Sequence, residues 1–265
     1  MSTNIHPTAV VSDKATIGDN VTIGPYSIVG DEVKLGNGVE LKSHVVIEGN
    51  TEVGDETVIY PFASIGMIPQ DKKFAGENSR LIIGKRNRIR EYVTMQPGTE
   101  SGGLVTRVGD DGLFMAGAHV AHDCIIGNNV ILCNHATLAG HVEMGDHSYI
   151  GGLAAVHQFV HIGHHAFIGG MAGIKNDVIP YALVMGRPAN LSGLNIVGLK
   201  RGGASGEEIR AMMRAYDRLF DRDDLTLAER IEDVKITYAD DDKVMDIVDF
   251  MAKDTARPMC LPAAS

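Results

Sequence analysis

An aliphatic side chain recurs at every sixth position through most of the chain's 265 residues. The series opens at Ile5, Val11, Ile17, Ile23, Val29 and Leu35 and continues through Leu41, Ile47, Val53, Ile59 and Ile65. It returns in phase at Ile83, Ile89 and Met95, slips by one residue, and runs from Val108 and Phe114 to Ile168 and Ile174. A helix of 3.6 residues per turn would scatter such a period around its circumference, and a simple strand would show period two. A coil with three short sides, about eighteen residues per turn, keeps every sixth side chain inside. The spacing therefore predicts a parallel β-helix whose coils stack at about 4.8 Å. Composition agrees: glycine numbers 31, aromatic residues are 5% and tryptophan is absent. Glycine follows the aliphatic residue at Ile17-Gly18, Ile23-Gly24, Ile126-Gly127 and Ile150-Gly151, where a corner calls for a permissive backbone.

Two stretches break the period. Residues 66–82 (GMIPQDKKFAGENSRLI) carry charges, fit no coil and read as an external loop. Residues 101–107, with Gly102-Gly103, form a smaller excursion. Loops thrown from a regular scaffold are frequent carriers of function. The period ends after Ile174, and Pro180, Arg187-Pro188 and Gly193 mark a transition. Ser205 with Glu208 and Thr226 with Glu229 are capping boxes opening two helices, and Val244, Ile247, Val248 and Met251 suggest a third. The expected organisation is a β-helix over 1–190 and a small helical domain over 191–265, whose methionine stripe reads as core.

The net charge of −10 argues against general nucleic-acid binding, which needs a basic surface. No apolar run reaches the roughly 18 residues of a membrane span. The first residues carry no basic and then apolar leader, so a cytoplasmic protein is expected. Cys124, Cys133 and Cys260 form no CxxC pair, and an odd count suits no disulfide framework; they read as small core residues.

Subtraction by eighteen places Val120, Leu138 and Val156 on one side of successive coils. His119, His122, Gly140, His141, His157 and Gln158 then gather along one outer edge. Building a coil requires no imidazoles there, and histidine is the side chain best suited to moving protons near neutral pH. Asp123 follows His122 directly and can orient its ring. His147 and His165, also eighteen apart, read as polar corner residues.

The runs His119-Val120-Ala121-His122-Asp123-Cys124, Ala136-Thr137-Leu138-Ala139-Gly140-His141 and Ala155-Val156-His157-Gln158-Phe159 closely resemble the UDP-N-acetylglucosamine acyltransferases of lipid A synthesis. So do Leu41-Lys42-Ser43-His44-Val45-Val46, Arg86-Asn87-Arg88-Ile89-Arg90-Glu91 and Gly198-Leu199-Lys200-Arg201, so the resemblance covers nearly the whole chain. It implies a left-handed coil, against the usual right-handed crossover, and a homotrimer with sites between neighbouring β-helices. It also implies transfer of an R-3-hydroxyacyl group from acyl carrier protein to the sugar 3-position, without metal or bound cofactor. By the same resemblance His122 is the general base, Asp123 its support and the Gly140 N–H an oxyanion donor. His119, His141, His157 and Gln158 line the substrate site. Gln70, Asp71 and Lys73 belong to the segment that closes over the nucleotide sugar, with Asn195 and Arg201 as nucleotide contacts. Gly170 matches the position where glycine admits a long acyl chain.

Departures from the family pattern are Gln96 in place of histidine, Gly202 in place of a second arginine, and Val197 in place of an acidic contact. The exchange at Gln96 raises the 3-amino analogue of the sugar as an alternative acceptor. The related N-acyltransferase of the next acylated precursor is a second alternative, disfavoured by the HVAHDC run and by the lack of an extra domain before Ile5. A zinc hydratase on the same scaffold would rest only on the weak His157-x3-His161 spacing, and an ice-binding β-helix would need flat threonine rows. The acidic carrier protein is expected to dock on the basic cluster Lys85, Arg86, Arg88 and Arg90, with Lys175 and Arg187 as possible additions.

Overall fold

A computed structural model describes residues 3–221 and 224–263. The hexapeptide units become strands of mostly two residues, arranged in three parallel sheets that wrap a left-handed β-helix. In the first sheet Ile23, Leu41, Ile59, Ile89, Phe114, Leu132, Ile150 and Ile168 stand in register from coil to coil. The second sheet aligns Val29, Ile47, Ile65, Met95, Val120, Leu138, Val156 and Ile174 in the same way. These columns are buried, so the six-residue period is the core itself. A second inward series, two residues ahead of the first, is small: Val21, Val39, Val45, Ala118, Cys124, Ala136 and Ala154 are all 0% exposed. Space beside most corners takes such small side chains, with Leu81 ahead of Ile83 and Asn87 ahead of Ile89 as larger members, and rings are scarce inside.

Rings lie outside instead. Tyr26, His44, Phe62 and Tyr92 form a ladder along the corner between the first and second sheets, with successive centroids 5.1 Å apart. Each has a positive φ of 58–66°, so corners turn left-handed without glycine. The glycines after the aliphatic residues serve another purpose than the one expected. None of Gly18, Gly24, Gly127 and Gly151 has positive φ. A Cβ on Gly24 would sit 2.7 Å from the Lys42 carbonyl, and one on Gly151 would sit 2.4 Å from the Gly170 nitrogen. Close approach of neighbouring coils, rather than backbone torsion, demands glycine there.

The two excursions leave from the same corner, where the second sheet turns into the third. The first runs from Ser64–Ile65 to Arg80–Ile83, and that strand pairs on both sides with Asn50–Val53 and Val105–Val108. Residues 80–82, expected in the loop, are therefore strand, and Leu81 is fully buried. The second excursion is a 3-10 turn over Glu100–Gly102, and residues 105–107 return to the third sheet.

An antiparallel pair, Ala182–Met185 with Asn190–Leu194, closes the last coil. The boundary expected at 190 thus falls inside a strand of the first sheet. Helices α1 (Ile196–Arg201), α2 (Gly206–Phe220), α3 (Leu227–Thr237) and α4 (Asp242–Met251) follow. Both capping boxes form as the sequence predicts, whereas the six-residue α1 carries no such signal. Met212, Leu219, Val244 and Ile247 bury continuously with the β-helix core. The chain end returns to the coils, where Asp177 N–H donates to the Pro258 carbonyl at 2.9 Å. Among the described residues no helix is long and apolar enough to cross a membrane.

Candidate active site

The corner that releases both excursions also carries the histidines. Asp123, His141 and Phe159 occupy one column eighteen residues apart, each with φ of 61–63°. Corner hydrogen bonds lock the layers, His141 N–H to the His122 carbonyl at 3.0 Å and Phe159 N–H to the Gly140 carbonyl at 3.2 Å. The His141 ring stacks on Phe159 at 4.4 Å and meets His122 edge-on at 5.2 Å.

His122 Nδ1 lies 2.8 Å from Asp123 Oδ2. A carboxylate only accepts, so Nδ1 carries the proton and Nε2 keeps its lone pair. The Asp123 side chain is 1% exposed, against 15% for His122. Its oxygens are held by Thr99, whose N–H donates to Oδ1 at 2.7 Å and whose hydroxyl donates to Oδ2 at 2.6 Å. The Asp123 N–H in turn donates to Thr106 Oγ1 at 2.7 Å. Neither threonine is singled out by the sequence. Thr106 lies seventeen residues before Asp123, one coil back, in the stretch the sequence reads as an excursion; Thr99 reaches the carboxylate only through the path of that excursion. Gly140 abuts the His122 ring, and among the described residues its N–H has no hydrogen-bond partner in the chain.

His119 is hydrogen-bonded through Nδ1 to Thr94 Oγ1 at 2.6 Å. Burial, with the neighbouring His122, pushes its ionisation below the usual histidine range. His141 is also lowered, chiefly by burial, while Asp123 and Asp71 act in the opposite direction. Asp71 lies in the loop. Its carboxylate accepts the Lys73 N–H at 3.0 Å, and the Lys73 side chain is exposed. Gln70 enters through its backbone: its N–H donates to Gln96 Oε1 at 3.1 Å. Gln96 Nε2 reaches the Ile68 carbonyl at 3.5 Å, so both ends of this buried carboxamide face the loop backbone.

Other expected residues lie elsewhere. His157 and Gln158 sit one coil farther along the same corner, exposed, and both meet Arg257 from the chain end. Arg257 Nη2 lies 2.7 Å from His157 Nδ1, and Nε donates to the Gln158 carbonyl at 3.0 Å. His161 instead faces Glu143 and Asp177 at 3.5 Å each, so the His157-x3-His161 spacing converges on no shared point. In the tight group His122, Asp123 and His141 both carboxylate oxygens are engaged as hydrogen-bond acceptors.

Asn195 and Arg201 line a pocket of about 680 Å³ on the outer face of the first sheet, with His147, Tyr149, Phe167 and Val197. Asn195 caps α1, its Oδ1 accepting from Gly198 N–H at 2.9 Å and its Nδ2 donating to the His165 carbonyl at 3.0 Å. Gly170 is exposed one coil beyond Gly152, whose carbonyl would lie 3.2 Å from an added Cβ. The basic cluster is largely neutralised: Lys85 pairs with Asp55, Arg86 with Asp111 and Arg90 with Glu91, at 2.9, 2.7 and 3.0 Å. As a docking surface for an acidic partner it offers far less positive field than its sequence suggests.

Residues 177–260 match the family model described as UDP N-acetylglucosamine O-acyltransferase, domain 2, and residues 106–140 match bacterial transferase hexapeptide (six repeats). The acyl-[acyl-carrier-protein]--UDP-N-acetylglucosamine O-acyltransferase of Caulobacter vibrioides is 52% identical over 98% of both chains. The protein of the same name from Paracoccus denitrificans is 61% identical over 58% of this chain and 59% of its own. A crystal structure of UDP-N-acetylglucosamine acyltransferase superposes with TM-score 0.94 at 42% identity, covering 98% of this chain and all of that one. The enzyme from Moraxella catarrhalis gives TM-score 0.93 at 40% identity, with 97% and 99% covered. With likeness of this degree running over nearly the whole length, the chain belongs to the UDP-N-acetylglucosamine O-acyltransferase family.

Proposed function

We propose that this chain transfers an R-3-hydroxyacyl group from acyl carrier protein to the 3-hydroxyl of UDP-N-acetylglucosamine, in the cytoplasm, as the first step of lipid A biosynthesis. The carrying observation is the His122–Asp123 pair, with Nδ1 committed to the carboxylate and Nε2 available beside Gly140. Nε2 takes the proton of the sugar hydroxyl as its oxygen attacks the thioester carbonyl. Asp123 balances the imidazolium that forms. The Gly140 N–H, without a partner among the described residues, receives the developing oxyanion. As the tetrahedral intermediate collapses, the C–S bond breaks and His122 returns the proton to the departing carrier thiolate. The thioester supplies the activation, so the chemistry calls on no cofactor.

His119 and His141, kept towards neutrality by burial, serve as hydrogen-bonding groups for the sugar and diphosphate beside the base. The loop carrying Gln70, Asp71 and Lys73 closes over the nucleotide sugar, and Lys73 meets phosphate as a point charge. The pocket with Asn195 and Arg201 opens on the first sheet, the side of the triangular coil opposite the His122 corner. In a homotrimer a neighbouring copy brings that pocket to the corner, which divides one nucleotide sugar between two chains.

His122→Ala tests the reading: transfer should fall by about 10²–10⁴-fold while the oligomer and its melting temperature persist. Turnover at the wild-type rate would overturn it. Co-assembling His122→Ala chains with Arg201→Ala chains should restore part of the activity, and a strictly additive loss would refute the shared site.

A further inference from the structure

We infer that Thr99 is a third member of the proton-transfer unit, a positioning residue that fixes Asp123, and that the 3-10 excursion exists to deliver it. This rests on His122 being the base. Asp123 receives three short hydrogen bonds, one from His122 and two from Thr99. A single residue thus anchors both carboxylate oxygens, through its backbone to Oδ1 and its hydroxyl to Oδ2. Thr99 is 2% exposed, so water does not compete for either bond. A buried carboxylate without such donors would be costly, and its hydrogen bonds to charged groups are the stronger kind.

The excursion is shaped around this contact. The Ser101 hydroxyl lies 3.1 Å from Thr99 Oγ1, so Ser101 can donate to Thr99 while Thr99 donates to Asp123. The turn closes on Thr99, whose carbonyl accepts from Gly102 N–H at 3.1 Å and Leu104 N–H at 2.8 Å. Gly102 then covers the carboxylate so tightly that a Cβ would lie 2.0 Å from Asp123 Cγ. Leu104 completes the turn with a φ of 66°, in the left-handed region. The loop over the site is tied to the same turn, because the Glu100 N–H donates to Glu77 Oε1 at 3.2 Å. Asp123 itself has a φ of 61°, so its side chain is aimed by a left-handed corner and then clamped.

With both oxygens fixed, Oδ2 can meet His122 Nδ1 in one direction only, which leaves Nε2 aimed at the substrate. Without the Thr99 hydroxyl, Asp123 can rotate and the imidazole loses its orientation. The group acts through Asp123 and touches neither substrate.

Thr99→Val preserves the shape and the N–H but removes the hydroxyl. It should lower kcat by about 10- to 100-fold, the range for one hydrogen bond to a charged group. KM for the nucleotide sugar and for the acylated carrier should stay within about twofold, since neither is contacted. Thr99→Ser, which keeps the hydroxyl, should recover most of the loss. In an Asp123→Asn background the same Thr99→Val change should cost less than about threefold, because the two residues act as one unit. An equal kcat loss in both backgrounds, or a loss that Ser does not restore, would make Thr99 merely structural and overturn the inference. Wild-type kcat in Thr99→Val with an inactive His122→Ala would refute this inference alone; an active His122→Ala would refute the functional reading beneath it.

Discussion

The α-carbon of Gly140 rests against the imidazole of His122, so that a methyl group there would lie 2.5 Å from Cε1 and 2.7 Å from Nε2. In the proposed mechanism the same residue shapes the seat of the base and offers its N–H to the reacting carbonyl. Gly140→Ala should displace the ring and lower kcat by about 10²-fold, as small misplacements of a catalytic group do. Steady-state kinetics with a melting curve will check this; near-normal kcat would show that the ring has room to yield.

Gln96 holds the loop at Ile68 and Gln70. Gln96→Ala should raise KM for the nucleotide sugar about tenfold, the worth of roughly one lost hydrogen bond, with kcat little changed. If Gln96 acts only through the loop, the 3-hydroxy and 3-amino acceptors will suffer alike. A changed ratio between them would place Gln96 in direct contact with the sugar and revive the alternative acceptor raised by the sequence.

Gly170 leaves open surface beside Gly152. If Gly170 admits the end of a long acyl chain, as the resemblance implies, Gly170→Met should shift preference toward shorter 3-hydroxyacyl donors, by about tenfold or more in the kcat/KM ratio. A panel of acylated carriers of graded length gives the answer, and an unchanged optimum would remove Gly170 from the control of chain length.

Burial and the proximity of His122 depress His119, and burial depresses His141. The unfolded chain takes up protons at these positions near pH 6.5 while the folded chain resists them. Stability is therefore greatest above that pH and declines as pH falls from about 6.5 toward the folded values. Melting temperatures between pH 8 and 5.5 should show the decline, and His119→Gln should flatten it. An identical slope in the variant would mean that other groups carry the dependence.

Burial pushes the Cys124 thiol up to about 12 and the Cys260 thiol to about 11. Neither supplies thiolate at neutral pH, so a thiol reagent should label them only after denaturation. Rapid native labelling of Cys124 would contradict its place in the core.

The six-residue period was sufficient for the coil, because a three-sided β-helix repeats its inward positions along the chain and places no long-range demand on them. Stacking by eighteen located the His122, Gly140 and His141 ladder for the same reason. Capping boxes marked α2 and α3 because their contacts are local. What the period could not carry is whatever leaves the coil. The path of the excursions decided that Thr99 meets Asp123, that Gln96 holds the loop, and that residues 80–82 rejoin a sheet. Charge in sequence likewise failed to report charge in space: Lys85, Arg86 and Arg90 find carboxylates on neighbouring coils or beside them. Repetition made the scaffold legible in one dimension, whereas the hydrogen bonds that hold the Asp123 carboxylate beside His122 join residues 24 positions apart, not the eighteen of a coil, and exist only in the folded chain.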